Sequence, residues 1–98
     1  VIYFEWDPLK AESNIRKHGV SFGLATDVFH DPDVIVEKER VADGEQRWKA
    51  IGIADSVICL VVIHTFGSAD EEDEVIRLIS ARRVSKKERR QYENQREL

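Results

Sequence analysis

The side chains of this sequence best suited to chemistry are His64, Arg77 and Arg82. His64 ends the run VICLVVI (57–63) and titrates near neutrality if unperturbed, so it suits either partner of a proton transfer. The other reading is a histidine hydrogen-bonded at a sheet edge. Arg77 lies in an alternating apolar segment, where a buried guanidinium without an anion or a carboxylate is costly. It therefore holds a bound anion or pairs with Glu5, Asp7 or Glu37. Arg82 falls near His64 if the two segments pair antiparallel, and a guanidinium there grips phosphate through two parallel hydrogen bonds. His18 and His30 stand where helices end, a position that suits capping. Cys59, inside the apolar run, reads as an inert core thiol.

These groups need a scaffold, and 98 residues supply one domain, 1–98. A single cysteine excludes an internal disulfide framework and a thiolate zinc site, and points to a reducing cytosol. The opening residues VIYFEWD do not read as a signal peptide, and the longest apolar run is far short of the about 20 residues that span a bilayer. The net charge of -4 argues by itself against a nucleic-acid partner, but its distribution is polar. Residues 1–30 carry -1, residues 31–76 carry -8 and residues 77–98 carry +5, so the chain ends in a basic patch. The acidic block Asp70, Glu71, Glu72, Asp73, Glu74 reads as a solvated loop. Its contiguous carboxylates lack the spacing of a cation site.

The pattern predicts a strand at residues 3–6, then a helix capped by Asp7, with Pro8 first and Gly19 closing it. Ala11, Ile15 and His18 form its inner face, and Lys10, Asn14 and Lys17 its polar face. Ser21 caps a second helix carrying Phe22, Ala25 and Phe29, which ends at Asp31-Pro32. Alternation then marks strands at 34–40, 47–53, 57–66 and 75–83, the first two joined by a turn at Asp43-Gly44. Ser85-Lys86-Lys87-Glu88 fits a capping box opening a last helix. That helix offers only Tyr92 and Leu98 for burial, so it lies loosely or waits for a partner. The class is α+β: a strand and two helices, an antiparallel meander, and a C-terminal helix.

The words FEWDPLKAESNIRKHGVSF, ERVADGEQRWKAIG and RLISARRVSKKERRQYE, in this order and spacing, together resemble the BrnT family, the toxin half of a bacterial type II toxin–antitoxin pair. The resemblance spans nearly the whole chain. It implies a RelE-like fold, metal-independent RNA cleavage that blocks translation, and a cytoplasmic protein neutralised by a cognate BrnA-like antitoxin. Operator DNA would be reached only through that complex. Metal-free cleavage needs a base for the 2′-OH proton, a cation for the phosphorane and an acid for the leaving oxygen. On this reading His64, Arg77 and Arg82 are the catalytic candidates. Lys10, Lys17, Arg47, Arg83, Lys86 and Arg89 are RNA-binding cations. Tyr92 either stacks on a base or anchors its helix. No cofactor is implied. A non-catalytic module docking nucleic acid or an acidic protein through its basic tail is the alternative. Chelator-resistant cleavage separates the two.

Overall fold

A computed structural model describes residues 1–68 and 72–96, with the side chains of Ser68 and Arg96 left aside. Asp70 and Glu71 of the acidic block, and Leu98, lie outside the described residues. The elements are β1 (Ile2–Glu5), α1 (Pro8–His18), α2 (Phe22–Ala25) with a 3-10 helix (Thr26–His30), β2 (Ile35–Ala42), β3 (Glu45–Ala54), β4 (Ile58–Ser68), β5 (Glu74–Arg83) and α3 (Lys86–Arg96).

Local chemistry sets their ends. The Asp7 carboxylate accepts from the Leu9 amide at 2.8 Å, and Gly19, at φ 68°, closes α1 by donating to the Ile15 carbonyl. Ser21 accepts from the Leu24 amide at 3.0 Å. Asp43 and Gly44 both take positive φ, 53° and 76°, as a two-residue hairpin demands. At Ser85 the predicted capping box forms in both directions: the Glu88 amide donates to Ser85 Oγ and the Ser85 amide to Glu88 Oε1.

The strands form one sheet in the order β1-β5-β4-β3-β2. β2 to β5 make the expected antiparallel meander, while β1 lies parallel to β5 from Ile2 opposite Glu74 to Glu5 opposite Arg77. The sheet is therefore mixed. The chain leaves β1 through α1 rather than a hairpin, which frees β1 to meet the last strand. On one face Val20, Phe22, Ala25 and Val28 cover Ala50, Leu60, Val62, Ile76, Leu78 and Ala81. On the other Tyr92 of α3 covers Ile51, Cys59 and Val61. Cys59 is buried, and burial pushes its thiol pKa up, in keeping with an inert core position.

Three expectations need correction. In α1 the buried residue is Asn14, whereas Ile15 is about half exposed. The reason is a vacant sheet edge. β1 stops at Arg77, and further along β5 the Asn14 side chain takes the place of a strand, accepting from the Ala81 amide at 3.0 Å and donating to the Ala81 carbonyl at 2.8 Å. Its amide also donates to the Val20 carbonyl at 2.8 Å. Nor is α3 loose. Tyr92 is buried, Gln91 donates to Glu37 and Gln95 to the Asp33 carbonyl, so polar bonds replace the missing apolar stripe. The acidic block is likewise not all loop, since Glu74 opens β5 and Asp73 meets the amino group of Val1 at 3.4 Å.

Candidate active site

Pairing decides which side chains meet. Opposite β4, β5 carries one extra residue: Ser80 pairs with Ile63 and Leu78 with His64, leaving Ile79 between them. Such a bulge reverses the alternation of side chains beyond it. Arg77 and Arg82 would otherwise face opposite ways, yet they share the face that α3 occupies. Arg77 sits opposite Thr65, and Arg82 opposite Val61.

His64 faces the other way, opposite Leu78, and is completely buried. Phe29 and Phe66 cover its ring edge-on, each at a centroid distance of 4.8 Å. Its Nδ1 lies 3.3 Å from the Val62 carbonyl, and its Nε2 has no hydrogen-bond partner among the described residues. Burial holds its pKa below the ordinary value, against the opposing pull of the Val62 contact. The expected grouping of His64 with Arg77 and Arg82 is thus not formed, because the sheet itself lies between them.

Arg82 is also committed elsewhere. Its two terminal nitrogens reach the Glu88 carboxylate at 2.8 and 2.9 Å, and Lys49 meets the same carboxylate at 2.7 Å. Arg82, then desolvation opposing it, then Lys49 and Ser85 set the Glu88 carboxyl far below the usual range, and Glu88 raises Arg82 in turn. A guanidinium paired in this way serves as a strut between β5 and α3, although its side chain is still partly exposed. Tyr92 is the anchor of its helix rather than a stacking platform, since it is buried and its hydroxyl donates to Asp31 Oδ2 at 2.5 Å. Arg83, Lys86 and Arg89 are exposed, and Arg89 lies 3.7 Å from Glu93.

Arg77 is exposed, not buried as its apolar neighbours in sequence suggested, because it lies beyond the end of α3's cover, and it has a different set of neighbours. With Lys10 of α1, Arg47 of β3, Asp43, Glu45, Ala42 and Ile79 it lines a cavity of about 220 Å³. Arg47 precedes Trp48, which pairs with His64, so Arg47 falls in the row of Thr65 and Arg77. Its Nε is buried and lacks a hydrogen-bond partner among the described residues. A buried guanidinium nitrogen left open is costly unless an anion completes it. Of the carboxylates considered for Arg77, Glu37 faces Lys49 at 4.0 Å, while Glu5 and Asp7 share a second hollow with Arg77 and Trp6. Lys17 borders a neighbouring cavity of about 240 Å³ with Lys10, Ser13, Asn14, His18, Ile79 and Ser80.

The sequence reading thus picked out Lys10, Arg47 and Arg77 without seeing that they converge. It missed Asn14, Glu88 as a charge partner, and Asp31, which accepts from the Ile53 amide at 2.8 Å as well as from Tyr92. The one available signal was Asn14 itself, a weak helix former in mid-helix. Chemically, three cations around a cavity that also holds two carboxylates fit an anion with a nearby proton acceptor.

Comparison with known proteins bears on which anion. The family model described as ribonuclease toxin, BrnT, of type II toxin–antitoxin system matches residues 6–88. Among solved structures the chain is similar to the 1.1 Å crystal structure of the Brucella abortus ribonuclease toxin, BrnT, with a TM-score of 0.63 and 25% identity. That similarity covers 88% of this chain and all of that one. No curated protein matches the sequence.

Proposed function

The chain belongs to the BrnT family of ribonuclease toxins of type II toxin–antitoxin systems, and from that premise we propose that it cleaves RNA without a metal ion in the cavity between Arg47 and Arg77. The observation that carries the reading is the open, buried Nε of Arg47 in a cavity shared with Arg77 and Lys10. The two guanidinium groups grip the phosphate and take up charge as the phosphorane forms, the task a metal ion performs in other nucleases. The 2′-oxygen bonds to the adjacent phosphorus and passes its proton to Asp43 or Glu45. The bond to the 5′-oxygen breaks, and Lys10 supplies the proton to that leaving group. A cyclic phosphate and a free 5′-hydroxyl result. This assignment keeps Arg77, Arg47 and Lys10 from the sequence reading and replaces His64 and Arg82.

The protein acts in the cytoplasm as a single toxin domain, and RNA cleavage there halts translation. A cognate BrnA-like antitoxin neutralises it by covering the basic cavity, with acidic groups that satisfy the same cations. Operator DNA is contacted through that complex. No described helix is long and apolar enough to cross a membrane. The test is purified, partner-free protein incubated with RNA, with and without EDTA. Cleavage that survives the chelator is expected, together with its loss in R47A and R77A. Intact RNA under every condition overturns the ribonuclease reading, and cleavage abolished by EDTA overturns metal independence.

A further inference from the structure

β1 accompanies β5 only as far as Arg77, and Asn14 takes over the edge at Ala81. Residues 78–80 lie between these two covers, with no strand among the described residues beside them on that side, and this stretch contains the bulge at Ile79. Both basic cavities open there. They share Lys10 and Ile79, so the cavity of Arg47 and Arg77 adjoins that of Ser13, Lys17, His18 and Ser80. Lys10 and Lys17 are two helical turns apart, about 10 Å along α1 at about 1.5 Å per residue. That is the length of roughly three stacked nucleotides at about 3.4 Å each. Lys17 and His18 stand in the last turn of α1 and line the second cavity.

We propose that this edge groove is a second phosphate subsite, and that the protein takes single-stranded RNA with one phosphate between Arg47 and Arg77 and a following phosphate against Lys17, Ser13 and His18. The proposal rests on the ribonuclease reading for its ligand and extends it in length: a dinucleotide fills only the first cavity, and a longer strand fills both. Ser13 and Ser80 offer hydroxyl donors beside the cations, and Ile79 supplies an apolar floor between the two sites. Lys10, common to both cavities, bridges them.

The experiment measures binding of the full chain to non-cleavable 2′-O-methyl oligouridylates of two and six nucleotides, so the result does not depend on catalysis. For the native protein the hexamer is expected to bind at least tenfold more tightly than the dimer. In K17A this length advantage falls about fivefold, and the slope of log affinity against log salt falls by about 0.7, one single-strand phosphate contact. K17S repeats the test with a small polar side chain. An undiminished length advantage in both variants, no binding of the hexamer at low salt, or tighter binding of a duplex of equal length overturns the subsite. RNA left uncleaved although the hexamer binds in this manner overturns the ribonuclease reading alone.

Discussion

Arg47 and Arg77 reach one cavity from the strands on either side of β4, and Thr65, buried between them, has no charge to offer either. Two neighbouring strands lie about 4.8 Å apart, so the two guanidinium stems start about 10 Å from one another and converge on whatever anion lies over Thr65. Removing either should cost cleavage far more than folding. R47A and R77A are expected to lower kcat/KM at least about 100-fold, as for the loss of one donor to a developing oxyanion. Thermal stability should change little, and R47K should recover only part of the rate, because an ammonium lacks the fork. Steady-state kinetics beside a melting curve decides it; wild-type rates in R77A would remove this cavity from the reaction.

His64 predicts a pH dependence of stability rather than of catalysis. Its pKa is lowered in the folded state from 6.5, so the unfolded chain binds the proton first as pH falls. Its stability contribution is complete above about pH 6.5 and declines below it, at most by about 1.4 kcal/mol per pH unit. H64L, which fills a similar volume and leaves no orphan nitrogen, should be as stable as the native protein at pH 7.5 and show a flatter profile between pH 6.5 and 5. Urea titrations across that range provide the comparison. Equal slopes in the two proteins would refute the assignment, and loss of cleavage in a folded H64L would return His64 to the active site.

Glu88 acts in a different window. Its carboxyl pKa is held well below 4.5 in the folded protein, so the stability it confers is present above about pH 4.5 and disappears as pH falls through the folded value. E88Q should lose about 2 kcal/mol at neutral pH, less than the removal of a fully buried partner because Arg82 is partly exposed. Below pH 4 the difference from native should shrink. A constant difference from pH 7 to pH 3 would show that shape rather than charge is what matters there.

Asn14 tests the substitute for a sheet edge. N14A leaves the Ala81 amide and carbonyl and the Val20 carbonyl without their partner, and about 2–4 kcal/mol of stability should be lost for a change that touches no apolar contact. N14D keeps the acceptor for the Ala81 amide and loses the donors, so it should fall on the same side. Amide exchange at Ala81 gives the local readout. Unchanged protection there in N14A would mean that the edge is closed by something else.

The caps of α1 and α2, the Asp43-Gly44 turn and the Ser85-Glu88 box were legible because each depends on residues within four positions of one another, and the meander because consecutive strands usually lie side by side. The site was less so. Whether Arg82 shares a face with Arg77 or with His64 turns on one residue, Ile79, being extra in β5, and no alternation pattern reveals a bulge that keeps both faces apolar. Arg82 reads as a free cation until Glu88 is folded back beside it. Lys10, Arg47 and Arg77 were legible as cations, but their meeting depends on β1 joining β5 in parallel and drawing α1 to that edge. Asn14 looked solvent-facing because its type is polar, and only the length of β1 shows what it completes.

During synthesis the parallel edge sets a delay. Ile2 emerges about 70 residues ahead of its partner Glu74, which at roughly 5–20 residues per second leaves β1 alone for about 4 to 14 s. Lys10 precedes Arg77 by a similar interval, so the groove does not exist on a nascent chain until Arg77 has emerged. An anion site built from the two ends of that interval comes into being in one step, when Arg77 joins the sheet, and not gradually as the chain grows.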